Sequence, residues 1–160
     1  VSPTVIAGTR DSSGNFTPAP GRTSERVVSK ETAQAMRLMM ESVVSGNGTA
    51  PSAAIAGYRV AGKTGTAQRI DDTCGCYRGY TASFIGFAPA DKPAYVISVT
   101  IQDPKGMHWG GALGGPVFKK VMSFVLQSRH IAPTGTTFDP IPLNKKALAA
   151  KKAQDATANN

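Results

Sequence analysis

Val60-Ala61-Gly62-Lys63-Thr64-Gly65-Thr66-Ala67 is the stretch whose reading decides the fold. It sits inside a strand predicted over 58–68, and on a strand alternate side chains share a face. Lys63 and Gly65 therefore lie on one face, Thr64 and Thr66 on the other. Gly65 has no side chain, so a ligand can lie close against the backbone there. Lys63 offers positive charge to a carboxylate or to a neighbouring catalytic hydroxyl. The threonine hydroxyls can hydrogen-bond a carboxylate, and the Thr66 N–H can point at a developing oxyanion.

Two further strands follow, predicted over 80–88 and 94–102. The second of these holds Tyr95-Val96-Ile97-Ser98-Val99-Thr100-Ile101, rich in β-branched residues. Pro89-Ala90-Asp91-Lys92-Pro93 is a tight link between them, which predicts antiparallel pairing. Both strands are apolar on both faces, so the sheet is expected to need helical cover on both sides. Helices are predicted over 29–45 and 116–129. Ser29 caps the first, and Glu31 suits its first turn. Ala33, Met36, Met39, Met40, Val43 and Val44 recur at helical spacing, which reads as a core-facing stripe. In the second helix Pro116 fits the first turn, and Val117, Phe118, Val121, Met122 and Val125 form the apolar stripe. Upstream, residues 1–28 read as loop with one hairpin turning at Asp11-Ser12-Ser13-Gly14-Asn15, and Val5-Ile6 ends a short strand. The tail, 131–160, is expected to be partly disordered. The fold class is thus α+β, an antiparallel sheet flanked by helices.

The chain has 160 residues, 41% of them apolar, which excludes wholesale disorder. Its 18 Lys+Arg against 10 Asp+Glu give a formal charge of +8. No run of five or more basic residues and no basic–aromatic alternation occurs, so the charge predicts a positively biased surface and no nucleic-acid partner. No stretch is long and apolar enough to span a bilayer. Two cysteines are too few for a disulfide scaffold. The first residue is Val1, not Met.

Around the Lys-Thr-Gly lie further motifs in order: Ala61-Gly62-Lys63-Thr64-Gly65-Thr66-Ala67, then Ser83-Phe84-Ile85-Gly86-Phe87-Ala88-Pro89-Ala90, then Trp109-Gly110-Gly111, then Pro116-Val117-Phe118-Lys119-Lys120-Val121-Met122. This order resembles the C-terminal part of a class B penicillin-binding protein transpeptidase domain, most of all the cell-division (FtsI) type. The resemblance covers about residues 20–130. It implies the penicillin-binding protein and serine β-lactamase-like fold, of which this chain is the C-terminal portion over 1–130.

The family uses three motifs, Ser-x-x-Lys, Ser-x-Asn and Lys-Thr-Gly. No Lys here has a Ser three positions earlier; residue 60 and residue 27, which precede Lys63 and Lys30, are both Val. Ser45-Gly46-Asn47 and Ser13-Gly14-Asn15 fit Ser-x-Asn in letters, but they read as a helix stop and a turn. The chain is therefore expected to be inactive and poorly stable by itself, with open sheet edges. Its partner would be an N-terminal remainder that carries Ser-x-x-Lys and Ser-x-Asn, and the missing Met reads as a cut inside a larger exported enzyme.

The resemblance implies a peptidoglycan D,D-transpeptidase that cross-links stem peptides during septal wall synthesis through an acyl-serine intermediate, and that β-lactam antibiotics inactivate. It implies Lys63 and the Thr66 N–H as catalytic groups, and Thr64, Gly65 and Thr66 as substrate-binding positions. Tyr80, His108 and Trp109 are expected to border the same pocket; a packing anchor is the alternative for Trp109, an exposed loop residue for His108. No cofactor or metal is implied. The implied setting is the extracytoplasmic face of the bacterial membrane, with a helical anchor outside this chain and division-complex proteins as partners. In that setting Cys74 and Cys76 are expected to be a disulfide that stiffens the loop from Arg69 to Gly79. Rival readings are a β-lactamase or D,D-carboxypeptidase of the same fold, and a non-enzymatic β-lactam sensor.

Overall fold

A computed structural model of the protein describes residues 5–21 and 24–135, with isolated positions 149, 152–153 and 156–157. The chain divides into two compact units, Val1–Ala33 and Gln34–Asn160. In the first unit, β1 (Gly8–Arg10) pairs antiparallel with β2 (Phe16–Pro18). The expected Asp11–Asn15 turn joins them. Asp11 Oδ1 accepts the N–H groups of Ser13 and Asn15, both at 2.9 Å. Gly14 takes the positive φ of +82° that the turn needs. The strand begins at Gly8, so Val5 and Ile6 lie ahead of it and are exposed. They are expected to end it, but the paired segment closed by the Asp11–Asn15 turn ends at Arg10, four residues later.

Helix α1 spans Lys30–Ser42 and starts in the first unit. Ser29 Oγ accepts the Thr32 N–H at 3.1 Å, the expected cap. The Glu31 carboxyl is held below its ordinary range, chiefly by its own backbone N–H and then by Ser29. The stripe is core only at its end: Val44 is buried in the core with Val43 packed against it, whereas Met36 and Met39 are 49% and 42% exposed. Periodicity identifies an apolar face but not whether anything covers it. What anchors this helix is polar. Glu41, 1% exposed, accepts two hydrogen bonds from Arg59, at 2.8 Å from Nε and 2.7 Å from Nη2. Arg37 donates to the carbonyls of Ala90 and Asp91.

The second unit is built on a three-stranded antiparallel sheet in the order β3 (Ala61–Asp71), β4 (Cys76–Ala88), β5 (Tyr95–Gln102). Lys63 pairs with Ile85, and Ile85 with Ser98. The observed β3 and β4 run further toward their shared hairpin than the predicted spans, because the turn at 72–75 is tighter than the predicted loop. Helix α2 (Gly110–Ser128) packs on one face of the sheet. Phe84 and Phe118, both fully buried, meet edge to face at 5.0 Å between centroids. Met122, Leu126, Ala53, Ile55, Val60 and Ala88 complete the core.

Helix α2 starts six residues before the predicted start at Pro116. Glycine and proline read as breakers locally, yet Gly110, Gly111, Gly114 and Gly115 are buried in its first turns. A Cβ on Gly114 would overlap Phe84, and one on Gly110 would overlap the carbonyl oxygens of Gly65 and Ser83. Glycine is what lets the helix approach the sheet so closely. Only part of the predicted α2 stripe faces inward: Phe118 and Met122 are buried and Val125 is half-buried, whereas Val117 and Val121 are each 43% exposed; Leu126, outside the predicted stripe, is buried, and Phe124 is 69% exposed. Helical cover on both faces of the sheet is not seen among the described residues. Ile85 and Val96, on the face away from α2, are 48% and 69% exposed.

The predicted tail over 131–160 falls mostly outside the described residues. Its first residues belong to the second unit. Tyr58 donates its hydroxyl to the Ile131 carbonyl at 2.6 Å, and Thr134 donates to Asp91 at 3.0 Å.

Candidate active site

β3 is the outer strand of its sheet, so every second residue turns its backbone N–H and C=O away from β4. The Thr64 carbonyl accepts Lys63 Nζ at 2.6 Å. Thr64 is thus among the outward-turned residues, and the alternation gives Thr66 the same direction. The register separates the side chains as the spacing predicts: Lys63 and Gly65 on one face, Thr64 and Thr66 on the face shared with Phe84, beneath α2. Gly65 also makes a contact beyond the one expected. A Cβ there would overlap Ser83 Oγ on the neighbouring strand.

Thr66 and Thr64 each meet a group from another segment. The N–H of Gly110, the first residue of α2, donates to Thr66 Oγ1 at 3.2 Å. One of the orphan donors at the helix start is therefore satisfied by a strand side chain. The start of α2 also carries the positive end of the helix dipole, which favours an anion close by. Thr64 Oγ1 lies 3.2 Å from Thr49 Oγ1. Thr49 was not among the sequence candidates; it is fifteen residues ahead of Thr64, and no local pattern joins them.

Tyr80, His108 and Trp109 come together. The Tyr80 and His108 rings stack at 4.0 Å with an 8° interplanar angle, and His108 meets Trp109 at 4.9 Å. His108 Nδ1 lies 3.4 Å from the Gly106 carbonyl. Trp109 is 62% exposed in this chain. Because Trp109 immediately precedes Gly110, the aromatic stack adjoins Thr66. Lys63 is exposed on the opposite face.

Beyond this cluster, Cys74 and Cys76 are joined by a disulfide in the β3–β4 turn. Asp71 holds that turn: its Oδ1 accepts the Thr73 hydroxyl and, at 3.0 Å, the Thr73 N–H. These bonds, the Thr73 hydroxyl first, keep the Asp71 carboxyl below its ordinary range. Asp103, bonded to Lys105 at 2.6 Å, is lowered by that contact above all. No group of three His, Cys, Asp or Glu among the described residues is placed to hold a metal ion. No helix among them is long and apolar enough to cross a membrane.

Ser45-Gly46-Asn47 lies in the turn after α1, where Ser45 Oγ donates to the Ser42 carbonyl at 2.7 Å. Ser13-Gly14-Asn15 is the β1–β2 turn. Both lie in turns.

Residues 1–123 match the family described as the penicillin binding protein transpeptidase domain. Penicillin-binding protein PbpB of Mycolicibacterium smegmatis is 41% identical over 152 residues, which cover 89% of this chain and 23% of that protein. Peptidoglycan D,D-transpeptidase FtsI of Escherichia coli is 40% identical over 121 residues, 75% of this chain and 20% of the relative. The chain therefore spans less than a quarter of the length of these curated relatives. Among solved structures, penicillin binding protein 3 from Mycobacterium tuberculosis, complexed with ampicillin, superposes with a TM-score of 0.72 at 36% identity, over 86% of this chain and 32% of that one. The transpeptidase domain of Burkholderia pseudomallei penicillin-binding protein 3 does so with a TM-score of 0.62 at 40% identity, over 74% and 37%. With residues 1–123 matching the family model and relatives of 36–41% identity covering most of its length, the chain that bears Lys63-Thr64-Gly65-Thr66 on its edge strand belongs to the penicillin-binding protein transpeptidase domain family.

Proposed function

We propose that this chain is the Lys-Thr-Gly-bearing part of a peptidoglycan D,D-transpeptidase of the FtsI type, at work in septal wall synthesis on the extracytoplasmic side of the membrane. The observation that carries the reading is the pair of threonine hydroxyls, Thr64 and Thr66, at the glycine-led start of α2. A hydroxyl has one hydrogen and two acceptor lone pairs. Thr66 Oγ1 already accepts from Gly110, so its hydrogen is available to an incoming carboxylate. The free carboxylate of a stem peptide ending in D-Ala-D-Ala, or of a β-lactam that mimics it, is such an anion.

The chemistry needs a nucleophilic serine on the polypeptide that carries Ser-x-x-Lys. That serine attacks the penultimate D-Ala carbonyl, the terminal D-Ala leaves, and an amine of a neighbouring stem then resolves the acyl-enzyme. The outward-turned Thr66 N–H supplies one oxyanion donor. Lys63, on the opposite face of β3, offers its positive charge to the hydroxyl groups of the serine-bearing polypeptide, and Gly65 leaves room for a ligand against the strand backbone. Tyr80, His108 and Trp109 form a wall for the acyl side chain. In support, one relative, penicillin binding protein 3 from Mycobacterium tuberculosis, is described in complex with ampicillin and in complex with aztreonam.

The test is made on the complete enzyme with a fluorescent penicillin. Slow, stoichiometric labelling together with cross-linking of stem peptides supports the reading. Steady penicillin hydrolysis would show a β-lactamase instead, and labelling without cross-linking would show a carboxypeptidase or a sensor. This chain alone is expected to take no label.

A further inference from the structure

We propose that Thr49 is a positioning residue for the Thr64 hydroxyl, a role that rests on the reading of β3 as the substrate-binding strand. Thr49 Oγ1 and Thr64 Oγ1 are 3.2 Å apart, and either can donate. Each has one hydrogen, so the pair has two arrangements. In one, Thr64 donates back to Thr49 and has no hydrogen left for a ligand. In the other, Thr49 donates to Thr64, and Thr64 keeps its hydrogen for whatever approaches. A carboxylate only accepts, so its arrival at Thr64 selects the second arrangement. The bond from Thr49 then polarises the Thr64 hydroxyl and strengthens its donation.

The position of Thr49 is built by its neighbours. Ala50 is fully buried, and its N–H donates to the Val43 carbonyl at 2.9 Å. Gly48 N–H donates to the Ser45 carbonyl at 2.9 Å. Ser52 Oγ donates to the Gly111 carbonyl at 3.1 Å, which ties the single 3-10 turn Pro51–Ala53 to α2. A Cβ on Gly111 would overlap the Thr49 carbonyl, so that glycine lets the segment lie against the helix. Thr49 itself stays exposed beside Thr64. The arrangement parallels the one at Thr66, which receives its donor from Gly110. In the arrangement that a carboxylate selects, two hydroxyls on one face of β3 each take a donor from outside the strand, and each retains one hydrogen for an anion.

The experiment compares acylation of the complete enzyme by a penicillin with acylation by its methyl ester, which lacks the negative charge. Thr49→Val removes the hydroxyl and keeps the shape. It should slow acylation by the free acid about three- to tenfold and leave the ester rate within about twofold. Thr49→Ser should restore the free-acid rate. Thr64→Val is the control for the underlying reading and should show the same selectivity for the free acid. If Thr64→Val discriminates and Thr49→Val slows both compounds equally, or neither, the positioning role is overturned and the substrate strand stands. If Thr64→Val does not discriminate either, both fall.

Discussion

The Gly110 N–H donates to Thr66 Oγ1 at 3.2 Å, so one side chain of the edge strand both closes the start of α2 and faces the candidate carboxylate site. Stability and binding are coupled at that atom. Thr66→Val removes the acceptor and leaves a helix-start donor without its partner. The complete enzyme should lose about 1–2 kcal/mol of stability, read by chemical denaturation, and Thr66→Ser should retain it. Equal stability of the valine and serine variants would refute the capping role.

Thr66→Pro tests the backbone instead. The Thr66 N–H turns away from β4, and proline is tolerated on edge strands where the N–H faces outward. Folding of the complete enzyme should survive. The penicillin acylation rate should fall about 10²–10³-fold, the usual cost of one oxyanion donor. Normal labelling by a fluorescent penicillin would sink the assignment.

The Glu41–Arg59 bridge should dominate the stability of the segment leading into β3. Glu41 is 1% exposed, and the Arg59 side chain 22%. The Arg59 guanidinium is held above its ordinary range, chiefly by its hydrogen bonds to Glu41. Glu41→Leu strands the guanidinium and should cost about 3–5 kcal/mol. Glu41→Leu combined with Arg59→Met should cost much less than the two single changes together, since no uncompensated charge remains. Additive losses in the double-mutant cycle would show that the pair does not interact as described.

The acid response of the β3–β4 turn has a definite sign. Asp71 and Asp103 both have lowered pKa values in the folded state. Their stabilisation is therefore present above the unfolded value near 3.8 and is lost as pH falls through the folded one. Amide protection factors at Thr73, Cys74 and Gly75, which are corrected for the intrinsic slowing of exchange in acid, should fall below about pH 4. Asp71→Asn should remove much of that dependence. Protection unchanged between pH 6 and 3 would count against the Asp71 turn.

The legible parts of the fold are those with local causes. Ser29 caps α1 through an atom three residues from its partner, and Asp11–Asn15 closes its turn by side-chain bonds within five residues. Strands β3 to β5 are legible from β-branched composition and from the proline-flanked link at 89–93. The start of α2 is not, because glycine at 110, 111, 114 and 115 lowers helix propensity while its purpose is contact with Phe84, Ser83 and Thr49. The exposure of Met36, Val121 and Phe124 is equally invisible, since a 3.6-residue period marks an apolar face and not its cover.

The sequence by itself determined the family motif, the order of the elements, and the division of Lys63 and Gly65 from Thr64 and Thr66. Period-two alternation is a property of any strand, so no tertiary information is needed for it. Only the tertiary structure decided which groups meet those side chains. Gly110 reaches Thr66 across forty-four residues, and Thr49 reaches Thr64 across fifteen. Contacts at such separations follow from how α2 packs on the sheet, and packing depends on volumes and close approaches that no local pattern encodes.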